Sequence, residues 1–488
     1  MIEVFPEPGR TAASRPTLPN TRPRSHFSTE PDSPEGHVMN ESIDQRIALG
    51  REQRRIVPLE AHAELHVSDD RPDPVALLTA QDEARLQELV PIRHGRMRVT
   101  PFTFYRGAAA VMASDLSRTP TTELRVQLCG DAHLSNFGLF NGADRRLVFD
   151  LNDFDETAPG PFEWDLKRLA ASVTIAGRNN DLTDKEIRQT TRASVQGYRE
   201  VVLRTSELSP LEVHYHRIDV ESLLAASDEK LRKRSSKAAA KATRKDSVRA
   251  LQKLTTVVDG QRRITADPPV ITRLDDRFER KQVTEFFGRY RATLPPHRSA
   301  VLDRYQFVDM AHKIVGVGSV GTRCLIVLLE CDRGTPLFMQ FKEATQSVLE
   351  PYAGASAFDQ AGERVVRGQR LMQATGDILL GWSRYPRDDG QTVDFYFRQL
   401  WDGKGSAEVD EMGPKRLKNY ARRCGEALAL AHARTGDAVA ISGYLGDDKT
   451  VDHALVDFAE RYADLNERDH AAHEIAIETG RVAAIDGI

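Results

Sequence analysis

The side chains best suited to chemistry lie in a short stretch between Asp131 and Asp155. Asp131 is followed five residues later by Asn136, and Asp153 comes after an intervening apolar segment. Phosphoryl transfer needs a carboxylate near the acceptor hydroxyl and oxygen ligands for a magnesium ion on the phosphates. Magnesium prefers one or two carboxylates together with phosphate oxygens and water. The spacing therefore predicts a site that uses ATP and Mg²⁺.

Each of these side chains has an expected role. Asp131 would orient the acceptor hydroxyl and take its proton, and His133 is a candidate for a second catalytic contact. Asn136 and Asp153 would bind the metal, which Asp155 is expected to share. The alternative for any single residue is a turn, because Asp and Asn often bond their own backbone there. The ordered set favours the catalytic interpretation.

A glycine-rich segment far downstream supplies a candidate nucleotide site. Gly316, Gly318 and Gly321 have the GxGxxG spacing, with Ser319 between them. In a dinucleotide-binding turn the third glycine opens a helix, whereas in kinases the loop turns between two antiparallel strands over the ATP phosphates. The apolar residues 324–329 that follow are typical of a strand and favour the kinase loop. A Rossmann-type NAD site is the alternative.

A lysine on the next predicted strand would complete this nucleotide site. Lys342 ends a run of strand-forming residues, 337–342, and is expected to contact the α- and β-phosphates of ATP. In kinases an acidic residue on the following helix pairs with this lysine. Glu363 is the first candidate for that partner, because Glu343 would point to the opposite face of the strand.

Regular elements are needed to position both sets of residues. Alternating apolar residues predict strands, and apolar residues at helical spacing predict helices. The main predicted elements are strands over 123–128, 146–151, 378–382 and 393–400, a β-rich region over 313–345, and helices over 164–178, 279–313, 357–375 and 415–435.

The first cluster resembles the catalytic half of the aminoglycoside phosphotransferase and choline kinase branch of the protein-kinase-like superfamily. The resemblance rests on the Asp131 to Asn136 loop, the Asp153-Phe154-Asp155 turn and the Trp164-Asp165-Leu166 helix start. It implies that Asp165 anchors the catalytic loop and that the acceptor is a small molecule. Residues 85–470 also resemble a bacterial family of uncharacterised proteins with the same Gly-Asp-Ala-His-Leu-Ser-Asn-Phe-Gly and Asn-Asp-Phe-Asp-Glu runs.

The order of these features differs from that of an ordinary kinase, in which the glycine-rich loop comes first. Residues 428–434 resemble the helix that normally leads into the catalytic loop, yet the Gly436-Asp437 pair that follows has no Asn five residues after the Asp. We therefore expect an α+β, two-lobed, protein-kinase-like fold that is circularly permuted. The expected segments are a disordered tail (1–45), a helical region with the catalytic-loop half of the C-lobe (46–300), a β-rich N-lobe-like region (301–402) and C-terminal helices (403–488).

Composition narrows the class of protein. Hydrophobic residues make up 40% of the chain and charged residues 29%, which is typical of a soluble globular protein. The net charge of −4 provides no general attraction to nucleic acid or anionic membranes, so neither partner is expected. Four scattered cysteines, together with no evident signal peptide or membrane span, predict a cytoplasmic location. The basic run 230–245 is either a solvated surface or a patch for an anionic substrate.

The function that these observations favour is an ATP- and Mg²⁺-dependent phosphotransferase acting on the hydroxyl group of a small molecule. Transfer of AMP on the same fold and a nucleotide-binding regulator without turnover are alternatives. A Rossmann-type oxidoreductase is a further alternative, but it leaves Asp131, Asn136 and Asp153 without a role. The residues alone do not identify the acceptor.

Overall fold

In the computed structural model, the described part of the chain comprises residues 41–221, 247–258, 260–273, 280–386, 390–400 and 403–488. The first 40 residues of the predicted tail and the basic run 230–245 lie outside it. Ser42 caps a helix that begins at Ile43, and its hydroxyl and the Gln45 side chain bond each other's backbone. The predicted tail therefore extends too far, because this capping box starts regular structure before residue 45.

Helices dominate the chain before the catalytic cluster. In chain order they are α1 (Ile43–Ile56), α2 (Pro74–Asp82), α3 (Val90–Met97), α4 (Pro101–Gly107) and α5 (Ala109–Leu116). Thr100 caps α4 through a capping box, and Pro101 occupies the first turn, where a missing N–H has no cost. The capping box and Pro101 therefore define where α4 begins after the end of α3.

Short strands and a long helix carry the cluster of polar residues between Asp131 and Asp155. They are β1 (Arg125–Leu128), β2 (Phe137–Asn141), β3 (Leu147–Leu151), β4 (Ala158–Pro161) and α6 (Phe162–Asn179), followed by α7 (Asp184–Thr205), α8 (Pro210–Tyr215) and β5 (Ile218–Asp219). β2 and β3 pair antiparallel at the centre of a sheet with the order β14-β2-β3-β5, where β14 is Gly405–Ser406. The strands predicted over 123–128 and 146–151 and the helix predicted over 164–178 are confirmed.

A larger antiparallel sheet carries the glycine-rich segment and Lys342. The strands of this region are β6 (Thr255–Val258), β7 (Gln261–Ile264), β8 (Ile271–Arg273), β9 (Tyr305–Lys313), β10 (Cys324–Cys331), β11 (Pro336–Ala344), β12 (Gly381–Pro386) and β13 (Thr392–Gln399). The six strands of this sheet follow the order β12-β13-β11-β10-β9-β8, while β6 and β7 form a separate hairpin. The helix predicted over 279–313 is wrong for its last part, because residues 305–313 pair along β10 as strand β9.

The helices of this region are α9 (Ser247–Leu254), α10 (Arg280–Ala292), α11 (Pro296–Leu302), α12 (Glu350–Ala353) and α13 (Ala361–Met372). They pack on the large sheet except for α12, which contacts β4. Tyr290 of α10 stacks on Phe397 of β13, with ring centroids 4.0 Å apart, and Phe341 of β11 joins the same cluster. Because side chains alternate along a strand, Lys342 and Gln340 lie on the opposite face of β11 from Phe341.

The C-terminal part of the chain is helical and packs on α6 and α7. Its helices are α14 (Pro414–Thr435), α15 (Ala438–Leu445) and α16 (Thr450–Glu478). The end of α14 lies beside β1, since the backbone N–H of Gln127 donates to Thr435 Oγ1 at 3.2 Å. The largest hydrophobic core joins α6, α7, α14 and α16 around buried residues such as Leu169, Tyr198 and Leu428.

The fold class is mixed α+β, with antiparallel sheets and a predominantly helical core. Residues 41–488 belong to one compact unit. Within the ranges described above, no helix is long and apolar enough to cross a membrane.

Candidate functional site

The loop that carries Asp131 is held by the start of α6. The carboxylate of Asp165 accepts hydrogen bonds from the backbone N–H groups of Cys129 (2.8 Å) and Gly130 (3.0 Å). Gly130 has a φ of 81°, and a Cβ there would lie 2.2 Å from the carbonyl oxygen of Glu156. Only glycine fits this position. Asp165 therefore anchors the loop as the resemblance implied.

Asp131 is oriented by a buried arginine of the same helix. Arg168 Nε and Nη2 lie 2.7 and 2.5 Å from Asp131 Oδ1. Arg168 also donates to the carbonyl oxygen of Tyr105 and lies over its ring. Burial raises the pKa of Asp131 above its usual value, and the Arg168 charge opposes that rise. The second oxygen, Oδ2, is left to receive a proton.

His133 lies beside that second oxygen. Its Nδ1 accepts a hydrogen bond from the backbone N–H of Ser135 at 3.2 Å, so the ring proton is on Nε2. Nε2 is 3.6 Å from Asp131 Oδ2, which is too long for a hydrogen bond. Burial lowers the pKa of His133 well below its usual value. The imidazole is therefore neutral at physiological pH and can donate through Nε2.

The predicted metal ligands lie on two neighbouring segments. Asn136 Nδ2 donates to the carbonyl oxygen of Asp131 at 2.7 Å, and the backbone N–H of Asn152 donates to the carbonyl oxygen of Asn136 at 3.0 Å. This second bond links the catalytic loop to the turn that carries Asp153. The amide oxygen of Asn136 accepts no hydrogen bond from the described residues and is available as a ligand.

Lys342 reaches this turn from the large sheet. Its ammonium group binds the carboxylate of Asp155 and lies 3.7 Å from Asp153 Oδ2. Tyr396, directly opposite Lys342 in the strand register, donates its hydroxyl hydrogen to Asp155 Oδ1 at 2.7 Å. Burial alone would raise the pKa of Asp153, but the charges of Lys342 and Arg398 hold it at about 2. Asp153 is therefore a carboxylate throughout the physiological pH range.

The prediction that Glu363 pairs with Lys342 is wrong, because Lys342 binds Asp155. Glu363, at the start of α13, instead accepts a hydrogen bond from Arg367 at 3.2 Å, one helical turn away. The inward-facing residue of α13 is its neighbour Arg364. Arg364 donates to the carbonyl oxygens of Asp155 (2.7 Å) and Thr345 (2.8 Å), so a cation of this helix holds the backbone of the turn.

The glycine-rich segment turns between β9 and β10, which pair antiparallel, and not into a helix. This arrangement lacks the helix start that a dinucleotide-binding turn requires. Arg96 donates to the carbonyl oxygen of Gly316, and Arg85 to that of Val320. The backbone N–H groups of residues 316–319 donate no hydrogen bond within the described part of the chain. Consecutive free N–H groups of this kind can bind phosphate oxygens.

Several charged residues of the site were missed by the sequence patterns. Arg168 follows Asp165 by three residues, which places both on one face of α6. This spacing is visible in the sequence and indicates that Arg168 belongs to the site. Arg398 donates to Gln340 Oε1 at 2.8 Å, and the two are partners in the register of β13 and β11. Alternation from Lys342 could have placed Gln340 on the same face. No local signal distinguishes Arg364 from other arginines of its helix.

The donor set suits a magnesium ion better than a transition metal. Two carboxylates, Asp153 and Asp155, and the amide oxygen of Asn136 are hard oxygen ligands of the kind that Mg²⁺ prefers. Within the described ranges, no group of three or more His, Cys, Asp or Glu side chains is arranged for a metal ion. The ion would thus need phosphate oxygens and water to complete its coordination.

The tertiary structure brings the two predicted sets together. The catalytic loop, the Asp153 turn and Lys342 form one continuous cluster, with Lys342 and Asp155 separated by 187 residues in sequence. Glu363 lies outside the direct contacts of that cluster. Gly316, Gly318, Ser319 and Gly321 occupy the hairpin loop next to Cys324, whose strand partner is Lys342.

Comparison with known proteins gives one family. No curated protein and no solved structure matches this sequence significantly. Residues 85–476 match the model of a family described as uncharacterized protein conserved in bacteria (DUF2252). This match covers most of the chain, including the catalytic loop, the glycine-rich segment and Lys342. The chain belongs to this bacterial family.

Proposed function

We propose that this protein is an ATP- and Mg²⁺-dependent phosphotransferase that acts on a hydroxyl group of a small molecule. The observation that carries the proposal is the placement of Lys342 against Asp155, 3.7 Å from Asp153 Oδ2. A cation from the sheet that carries the glycine-rich loop thereby contacts the acidic turn that follows the Asp131 loop. In kinase-like enzymes a lysine and a metal-binding acidic turn together position a nucleoside triphosphate and neutralise its charge.

Asp131 is the proposed base. Arg168 holds one carboxylate oxygen, so the other can accept the proton of the acceptor hydroxyl. The acceptor oxygen forms a bond to the γ-phosphorus, the bond from that phosphorus to the bridging oxygen of ADP breaks, and the proton passes to Asp131. His133, with its proton on Nε2 and 3.6 Å from Asp131 Oδ2, would donate a hydrogen bond to the reacting groups.

Lys342, Asn136 and Asp153 are the proposed nucleotide-binding residues. Burial opposes the charge of Lys342, but Asp153 and Asp155 raise its pKa, so it is a permanent cation. It would contact the α- and β-phosphates, while Asn136 and Asp153, joined by Asp155, would hold Mg²⁺. The ion would neutralise charge on the phosphates. The free N–H groups of residues 316–319 would cover the phosphates from the other side.

The position of α14 supports a circularly permuted kinase-like fold. Gln127 donates to Thr435 Oγ1, and a Cβ on Gly436 would lie 2.9 Å from the carbonyl oxygen of Arg125. His432 near the end of α14 also lies 3.3 Å from Asp165, which holds the catalytic loop. The helix thus ends beside the strand that leads to Asp131, although the two are far apart in sequence.

One feature of the proposed fold departs from ordinary kinases. The lysine is paired with the metal-binding turn, while Arg364 of α13 holds the backbone of that turn. ATP binding would therefore have to draw Lys342 partly away from Asp155. The exchange is electrostatically reasonable, because phosphate oxygens and Mg²⁺ would replace the two charges that now neutralise each other.

The test is to titrate the wild type, Asp153→Asn and Asp131→Asn with ATP. The melting temperature of each protein is measured with and without Mg²⁺. A ligand at 100 times its dissociation constant stabilises a protein by about 2.7 kcal/mol. We expect Mg²⁺-dependent stabilisation of the wild type and of Asp131→Asn, and its loss in Asp153→Asn. No stabilisation of the wild type by ATP and Mg²⁺ would refute the proposal.

Product analysis separates phosphoryl transfer from the transfer of AMP. Slow hydrolysis, in which water is the acceptor, releases ADP and phosphate in the first case, and AMP with pyrophosphate in the second. We expect ADP, and we expect its release to be lost in Asp131→Asn. Binding without release of either product, even with a broad set of hydroxyl acceptors, would favour a nucleotide-binding regulator.

A further inference from the structure

Arg106 has no role in the site as described, although it lies at the junction of its two halves. It belongs to the last turn of α4, and its carbonyl oxygen would lie 3.2 Å from a Cβ built on Gly318. The Nε atom of Arg106 is buried and has no hydrogen-bond partner. The guanidinium forms no hydrogen bond or ion pair with any residue in the described part of the chain.

The Arg106 charge acts on the catalytic loop. Burial is the largest influence on the pKa of Arg106 and lowers it, whereas Asp410 and Asp131 raise it. Burial also lowers the pKa of His133, and Arg106 is the nearby charge that lowers it most. The guanidinium charge therefore acts on Asp410, Asp131 and His133, and within the described part of the chain it is bonded to none of them. Arg106 is only partly exposed and its buried Nε lacks a partner there, so an anion beside it would supply the missing acceptor.

The surroundings of Arg106 indicate which part of the bound substrates it would contact. Its backbone lies next to the glycine-rich loop, where the N–H groups of Gly318 and Ser319 donate no hydrogen bond to a described residue, and its charge acts on Asp131, the proposed base. The strongest charge influences on Asp153 come from Lys342, Arg398 and Lys404 instead. Arg106 therefore belongs with the acceptor side of the cluster, where the transferred group would be.

We propose that Arg106 binds the terminal phosphoryl group of the nucleotide, together with the free N–H groups of the glycine-rich loop. The inference rests on the proposed phosphotransferase function. A guanidinium presents paired donors that match two phosphate oxygens. As the bond from phosphorus to the acceptor oxygen forms and the bond to ADP breaks, the negative charge on the equatorial oxygens would remain next to Arg106.

The test compares binding of Mg²⁺–ATP and Mg²⁺–ADP to the wild type, Arg106→Gln and Arg106→Lys by calorimetry. We expect the wild type to bind ATP more tightly than ADP, and Arg106→Gln to weaken ATP binding by about 10-fold or more while leaving ADP binding unchanged. Arg106→Lys should be intermediate. Arg98→Gln is the matched control, because Arg98 carries the same charge nearby but forms an exposed pair with Asp486.

Each other outcome has a distinct meaning. Equal weakening of ATP and ADP, or no change in either, would overturn the role of Arg106 and leave the proposed function standing. The second of these results would fit an anionic group on the acceptor instead. A wild type that binds neither nucleotide would overturn both proposals. If Arg106→Gln does not fold, an unchanged ratio of ATP to ADP affinity in Arg106→Lys refutes the inference.

Discussion

Arg168 and Asp131 form a bonded pair in which Nε and Nη2 of the arginine lie 2.7 and 2.5 Å from a single oxygen, Oδ1, of the carboxylate. Arg168 is almost completely buried, and the ring of Tyr105 lies 4.2 Å from its guanidinium carbon. One carboxylate oxygen of Asp131 is thus held in place, and the other accepts no hydrogen bond from the described part of the chain. This relationship makes Arg168 a positioning residue for the proposed base.

Replacing Arg168 should change the pH dependence of turnover. Because Arg168 opposes the burial that raises the pKa of Asp131, Arg168→Gln should raise that pKa further. A base acts only when it is deprotonated, so the acidic limb of the pH profile of ATP hydrolysis should move to higher pH. We also expect turnover to fall by about 100-fold, with nucleotide affinity nearly unchanged.

Arg168→Lys is the control for this prediction. It keeps the charge but loses the forked geometry, so the acidic limb should move less and turnover should fall less. A purely structural role would lower the melting temperature of both variants and leave the pH profile in place. That result would contradict the assignment of Arg168 as a positioning residue.

When the charge of Asp155 is removed, loss of Lys342 should weaken ATP binding more than it lowers the free energy of unfolding. Lys342→Met removes the cation bonded to Asp155 and leaves only the more distant charge of Arg398, and breaking a buried ion pair typically costs about 3–5 kcal/mol. The double variant Lys342→Met/Asp155→Asn removes this uncompensated charge. We expect it to recover much of the lost unfolding free energy, measured by urea denaturation, but not the binding of ATP.

The ATP affinity of the double variant could contradict this prediction. Recovery of ATP binding in the double variant would show that Lys342 only neutralises Asp155. Asp155→Asn alone provides the remaining corner of the thermodynamic cycle. Because Asp155 is also a proposed Mg²⁺ ligand, this variant should bind ATP more weakly than the wild type, but more tightly than the double variant if Lys342 contacts the phosphates directly.

Glu156 should make stability depend on pH between 4.5 and 7. Burial raises its pKa from 4.5 to about 7, and its Oε2 accepts the backbone N–H of Val348 at 2.8 Å. The folded state therefore retains a proton that the unfolded state loses, so stability falls as pH rises through this window. One pKa unit is worth about 1.4 kcal/mol, and for this partly buried group we expect an effect on the order of 2 kcal/mol.

Glu156→Gln removes this dependence while keeping an oxygen for the Val348 N–H. Its melting temperature relative to the wild type should increase between pH 5 and pH 8. Glu186→Gln serves as the control, because hydrogen bonds from Thr183 lower the pKa of Glu186 at an exposed helix start. Its difference from the wild type should not increase over the same range. Parallel curves for Glu156→Gln and the wild type would contradict the prediction.

Asp165 should hold the catalytic loop in place. An Asp165→Asn side chain would present an amide N–H₂ group to a site where both carboxylate oxygens accept backbone hydrogen bonds. Leaving a buried N–H unpaired costs about 1–3 kcal/mol. We expect lower thermal stability, faster hydrogen exchange at residues 129–131 and loss of turnover.

Asp437→Asn is a matched comparison for this variant. Asp437 also accepts two backbone N–H groups, those of Val439 and Ala440, but it does so at the start of α15, where it pairs with Arg46 and has no hydrogen bond to residues 129–131. It should lower the melting temperature without faster exchange at 129–131. Equal exchange in the two variants would mean that Asp165 has no special role in the loop.

Some of the fold could be predicted from local patterns. The strands over 123–128 and 146–151 and the helix that starts before Asp165 follow from alternation and helical spacing. Strand β9 could not be recognised in this way, and residues 305–313 were expected to be helical. Five of its nine residues are partly buried and only two are buried, so its periodicity is weak, and pairing with β10 determines its conformation.

The residues alone show which chemical groups this protein has and their order along the chain: Asp131, Asn136 and Asp153 first, and the glycine-rich loop and Lys342 later. Which of these groups meet depends on the packing of the folded chain. Lys342 binds Asp155 and not Glu363, because strand pairing and the packing of α13 set the distances between them. Contacts between residues so distant in sequence depend on the packing of whole elements, which no local pattern encodes.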